Sequence, residues 1–187
     1  MRPESALKSM PRVLRVDDMT TEDTAANQTA YVPIPVRFDF DALAPAVSTA
    51  VMTLHKAAIK DLAKAGVPQG LIELVRLRAS QLNGCAYCVN QHSVDARKAG
   101  VSDQRVDMLA VWEDAGLYTA EERAALALTE SVTRLSETHA PEAVVTQALK
   151  VLGEQQTAAI LGLIVSINAW NEVGVTSRCW PVDPRED

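Results

Sequence analysis

The sequence predicts an all-α protein, a compact bundle of about six to seven helices preceded by an extended N-terminal arm. Composition is the first reason. Of 187 residues, 28 are Ala, 8 are Gly and 8 are aromatic; Ala is the best helix former and Gly among the worst. The second is periodicity, because apolar residues from about Asp41 onward recur at three- and four-residue spacings. The third is punctuation: Gly, Pro and capping residues fall at the ends of those periodic stretches.

Residues 1–40 lack that period. Charges mix there with Thr, Asn and Pro, and Pro33 and Pro35 remove the N–H groups a central strand would need. The expectation is an extended, partly mobile arm suited to lie across a neighbouring subunit, followed by a helical domain over 41–187. A first helix places Leu43, Val47, Ala50, Val51, Leu54, Ala58, Leu62 and Ala65 on one inward face and stops at Gly66. Pro68 opens a second, with Leu71, Leu74, Val75, Ala79 and Leu82 inward, and Asn83-Gly84 ends it. A third runs from about Cys85 to Ala99. Ser102 and Asp103 cap a short fourth. Thr119 and Glu122 match a capping box that starts the fifth, which reaches about Ser136. Pro141 opens a sixth, broken at Gly153. The last, about Glu154 to Arg178, holds the longest apolar run and is expected to be the most buried, with WPVDPRED trailing off its end.

A mass of 20.2 kDa suits one domain large enough to fold without disulfides. The net charge of −6 argues against nucleic acid or an anionic membrane as partner. The N-terminus does not resemble a signal peptide, and GLIVSINAW is short for a spanning helix. A cytoplasmic protein is the expectation. Three cysteines do not make a disulfide framework, so thiol chemistry is the more natural use.

The chemistry concentrates in LIELVRLRASQLNGCAYCVNQHSVDARKAG. Cys85 and Cys88 follow a helix-stopping Asn-Gly, and His92 lies four residues further on. At about 100° per residue, the three occupy one stripe roughly 60° wide on a helix. A thiol at a helix N-terminus in a Cys-X-X-Cys motif has a lowered pKa, and only the thiolate attacks. Cys85, at the helix mouth, is expected to be the better exposed of the two. Glu73 sits in the apolar stretch LIELV, a costly place for a carboxylate without partners. A hairpin about Asn83-Gly84 would bring it level with His92, where it could orient the imidazole for proton transfer.

Other readings of the same residues stay open. The two thiols, His92 and Glu73 are an acceptable ligand set for zinc. Glu73 could instead pair with Arg76 or Arg78, and His92 could bond a carbonyl. Tyr87 points away from the stripe and suits packing. Trp170 and Asn171 suit helix packing. Cys179, His55 and His139 have no partner visible in sequence and read as structural or surface residues.

Glu73, Cys85, Cys88 and His92, with gaps of eleven, two and three residues, resemble the motif of the alkylhydroperoxidase D-like branch of the carboxymuconolactone decarboxylase superfamily. The resemblance covers about residues 41–178, including LIELVRLRASQLNGCAYC and INAWN. It implies an all-helical fold assembled as homotrimers or homohexamers, and thiol-dependent reduction of organic hydroperoxides in antioxidant defence. It also implies roles: Cys88 attacks the peroxide, Cys85 resolves the sulfenic acid, and Glu73 and His92 carry protons. No cofactor is implied beyond a redox-active Cys85–Cys88 disulfide, recharged by a dithiol donor. Alkylhydroperoxidase D itself carries His between the cysteines, where this chain has Tyr87. A redox sensor or thiol-disulfide exchange protein, and a zinc-binding oligomer, are the alternatives.

Overall fold

The computed structural model describes residues 32–182. The proposed arm therefore lies mostly outside the described residues. The chain divides at Ile34–Pro35 into two units; residues 32–34 of the first carry no regular secondary structure. The second unit is helical. Its elements are α1 (Phe40–Leu43), α2 (Pro45–Lys64), α3 (Gln69–Asn83), α4 (Ala86–Lys98), α5 (Asp103–Asp107), a 3₁₀ turn at Met108–Val111, α6 (Ala120–Thr133), α7 (Leu135–Thr138) and α8 (Glu142–Ser177). No strand occurs among the described residues.

Local signals set most of these boundaries. Thr119 and Glu122 close the capping box at α6, each side chain meeting the other's backbone N–H. Gly84 ends α3 in the left-handed region at φ 69°, a conformation Gly adopts without steric penalty. Gly153, at φ 76°, breaks α8 into two limbs. The fifth expected helix is split instead, at Arg134, into α6 and the single-turn α7.

Two further elements differ from expectation. The first expected helix is cut at Ala44 because Pro45 takes the N1 position of a new one. Only Ala58 and Leu62 of its expected inward face are buried, while Leu43 is 74% and Val47 54% exposed. Periodicity marks an apolar stripe; it does not say what covers the stripe. The most thoroughly buried helix is α3 rather than α8. Every residue from Leu71 to Leu77 is buried, whereas Leu161 and Val165 of α8 are exposed.

That burial follows from the position of α3 between two apolar clusters. On one side Ile72 and Val75 pack with Leu62, Leu128, Ile160, Leu163 and Ile164. On the other Leu74 and Leu77 pack with Ala96, Leu109, Trp112 and Leu126. By length and composition α8 could cross a membrane, with a mean hydropathy of 1.5 over its most apolar 18 residues. In this fold the same stretch supplies Ile160, Leu163, Ile164 and Ile167 to the core. At its C-terminal end, the N–H groups of Arg37 and Phe38 donate to the Ser177 carbonyl, at 2.9 and 3.3 Å. The Arg37 guanidinium donates to the carbonyls of Val175 and Thr176, a favourable place for a cation.

Candidate functional site

The hairpin of α3 and α4 builds the site. Cys85 N–H donates to the Ser80 carbonyl at 3.1 Å, turning the chain sharply after Gly84. Cys85 then caps α4: its Sγ accepts from the Cys88 N–H at 3.4 Å, where Ser or Asp would ordinarily stand. Cys85 and Cys88 are joined as a disulfide, their Cα atoms 5.3 Å apart, within the usual span. The expected difference in exposure is reversed. Cys85 is 1% exposed and Cys88 4%, because α8 approaches Cys85 so closely that a Cβ on Gly174 would stand 3.0 Å from its Sγ.

Antiparallel packing of α3 and α4 places Glu73 and His92 together, with Nδ1 of His92 3.0 Å from Oε2 of Glu73. Glu73 is 2% exposed, and three groups stabilise it there. Gln69 Nε2 and Arg76 Nη1 donate to its Oε1 at 2.7 and 2.8 Å, and His92 meets Oε2. Burial pushes this carboxyl up, but the His92 bond and the Arg76 charge outweigh it, so the group lies below the usual carboxylate range. Two readings left open by sequence are thus both true, since Glu73 binds His92 and Arg76 at once. With a carboxylate on Nδ1, that nitrogen carries the proton and Nε2 is left for chemistry.

Arg76 extends the network to a residue that sequence alone had assigned no role. Its Nη2 lies 3.4 Å from Nε2 of His55, whose Nδ1 is 3.4 Å from Ser166 Oγ. Arginine only donates, so His55 accepts at Nε2 and is neutral. Burial, followed by the charge of Arg76, holds its pKa below the ordinary value. Behind the hairpin turn, Asn83 Nδ2 donates to Asn168 at 2.7 Å and Asn171 at 3.0 Å, and Asn171 Nδ2 donates to Ser80 Oγ at 3.1 Å.

A cavity of about 330 Å³ opens beside the disulfide. Cys88 and His92 line it, together with His55, Gln91, Met52, Ile167 and Trp170. Tyr87 also lines it, its ring 5.5 Å from that of Trp180, so it belongs to the cavity wall. Trp180, expected in a trailing tail, folds back instead: Nε1 donates to Asp41 Oδ2 at 2.9 Å, and the ring meets Trp170 edge-on at 5.5 Å. Cys179 takes a bond from Ser177 Oγ at 3.0 Å. Among the described residues, metal-ligand atoms gather at Glu73, His92 and Asp95, within 4.8 Å of one another. The Glu73 oxygens among them already accept from Gln69, Arg76 and His92.

Residues 45–131, which include Glu73, both cysteines and His92, match the model of the carboxymuconolactone decarboxylase family. The chain is 36% identical over 103 residues to the uncharacterized protein YdfG of Bacillus subtilis (strain 168), covering 55% of this chain and 70% of that protein. It also superposes, with a TM-score of 0.73 and 32% identity, on a crystal structure from Agrobacterium tumefaciens. The alignment covers 80% of this chain and all of that one, a protein of unknown function suggested to be the antioxidant defence protein AhpD.

Proposed function

The chain belongs to the carboxymuconolactone decarboxylase family, in its alkylhydroperoxidase D-like branch, and on that premise we propose that it reduces organic hydroperoxides with the Cys85–Cys88 dithiol. The observation that supports the reading is that Cys88 and His92 line one cavity, with His92 held by a buried, ionised Glu73. A catalytic base oriented by a third group is the usual arrangement for activating a nucleophile.

In the reduced protein, His92 Nε2 takes the Cys88 thiol proton. The thiolate attacks the distal peroxide oxygen, forming an S–O bond as the O–O bond breaks. The alkoxide leaves and takes the proton back from His92 as an alcohol. Cys85 then gives up its thiol proton and attacks the Cys88 sulfenic sulfur; the S–S bond forms as the S–O bond breaks, and the hydroxide leaves as water with that proton. An external dithiol reduces that disulfide and is itself oxidised, so electrons balance over the cycle. A site that must be re-reduced on each turnover suits the cytoplasm. The exposed Leu43, Val47 and Leu54 support a homotrimer or homohexamer in which a neighbouring copy covers them.

A coupled assay with cumene hydroperoxide and dithiothreitol or dihydrolipoamide tests this. Alcohol formed well beyond one equivalent per subunit is the expected result. Oxidation that stops at one disulfide per subunit would make the protein a redox sensor instead.

A further inference from the structure

We infer that the cavity selects neutral, apolar hydroperoxides and disfavours those carrying a carboxylate; this rests on the peroxidase reading above and specifies its substrate class. Ile167, Trp170, Trp180 and the Tyr87 ring give the wall beside Cys88 an apolar character. At about 330 Å³ the space accommodates a small ring-bearing molecule.

The charges of the wall decide the selectivity. Asp41 supplies a carboxylate at the rim, fixed by Ser48 Oγ on Oδ1 at 2.7 Å and by Trp180 on Oδ2 at 2.9 Å. Among the described residues, no Lys or Arg lines the cavity to receive an anion. Arg76 lies behind His55, and its charge is matched by Glu73 at 2.8 Å. His55, fixed as an acceptor toward Arg76, is neutral and offers no counter-charge. A substrate carboxylate would therefore leave water for a cavity that holds the like charge of Asp41, while the imidazolium that His92 becomes is already matched by the Cys88 thiolate and by Glu73. Within a space of this size the repulsion across a protein-like dielectric amounts to about a tenfold penalty or more.

The test is a matched pair: cumene hydroperoxide and the same molecule bearing a para-carboxylate. The expected result is a kcat/KM about tenfold or more higher for the neutral compound at low salt. That ratio should shrink as ionic strength rises, because salt screens charges at a partly exposed rim. Asp41→Asn keeps an oxygen to accept the Trp180 N–H and should shrink the ratio at low salt; the salt series on the unaltered protein carries the test even if that variant misfolds. Equal turnover of both compounds, or a ratio indifferent to salt, would overturn the inference while leaving the peroxidase reading intact. Failure to consume either compound would overturn the peroxidase reading itself.

Discussion

The α3–α4 hairpin and the outer wall of the cavity are stabilised in different ways. In and behind the hairpin, charged and polar groups answer one another around buried Glu73, Arg76, Ser80 and Asn171: Glu73 meets Gln69, Arg76 and His92, and Ser80, Asn83 and Asn171 form a second network behind the turn. The outer wall is α1, the first turns of α2 and Trp180. It is half-buried, bears exposed Leu43 and Val47, and is joined to the C-terminal segment through the Trp180–Asp41 bond. A buried network loses much when one member is removed, because the others remain desolvated and unpaired. A half-buried contact loses little, since water replaces the missing partner. On the proposed reading, chemistry belongs to the first region and substrate selection to the second.

The sharpest break in the hairpin is chemical. Cys88→Ser should abolish hydroperoxide consumption. Cys85→Ser should still undergo one oxidation, because the attacking thiol remains and no resolving thiol follows. Dimedone adducts mapped by mass spectrometry should lie on Cys88; adducts on Cys85 would reverse the assigned roles. Cys88 lines the cavity, whereas Cys85 is packed beneath α8 at Gly174.

Glu73→Gln keeps the shape and removes the charge that fixes His92. The rate should fall roughly 10²–10⁴-fold, typical of losing an acid–base partner. The substitution should also alter the acid limb of stability. Glu73 titrates below its ordinary value of 4.5 when folded, so its contribution is complete above that value and is lost as pH falls through the folded pKa. His55 acts in the same direction, since its pKa lies below 6.5 and the fold favours its neutral form. Its contribution is complete above 6.5 and declines on acidification toward the folded pKa. Urea unfolding at a series of pH values should therefore show stability falling from about pH 6.5 downward, with a flatter lower segment in Glu73→Gln. A rate unchanged in that variant, with a much lower melting point, would make Glu73 purely structural.

The two regions were also unequally legible in the sequence. Gly84, the Cys85 cap and the Thr119–Glu122 box are local devices, written within a few residues, and they place the hairpin and α6 directly. Glu73 and His92 are 19 residues apart, yet one turn signal between two helices sufficed to pair them. Nothing comparable connects His55 to Arg76, or Asp41 to Trp180 across 139 residues. Those contacts depend on how α1, α2 and the end of α8 converge in space, which helical periodicity does not encode. An unneutralised Glu in an apolar run signalled a partner, whereas a His or Trp near a chain end fits many surroundings. The stripe on α2 was visible as a pattern, but a pattern does not specify whether its own subunit or another covers it.

Asn171→Ala and Trp180→Phe compare the two regions in stability alone. Asn171 is fully buried, and its removal leaves Ser80 without one donor and Asn83 without one acceptor, a loss of about 2 kcal/mol. A lower urea midpoint at unchanged slope would report it.

Trp180→Phe should have the smallest effect. The substitution keeps a ring against Tyr87 and Trp170 and deletes only the N–H donated to Asp41. Asp41 retains Ser48 Oγ at 2.7 Å and is only partly buried, so water can take the vacated oxygen. A bond lost under those conditions is worth about 0.5–1 kcal/mol, below the full cost of an orphaned buried group. For a protein of this size that corresponds to a melting point lower by about 1–3 °C. A fall as large as that of Asn171→Ala would mean that water does not reach Asp41, and that the outer wall is as tightly built as the hairpin.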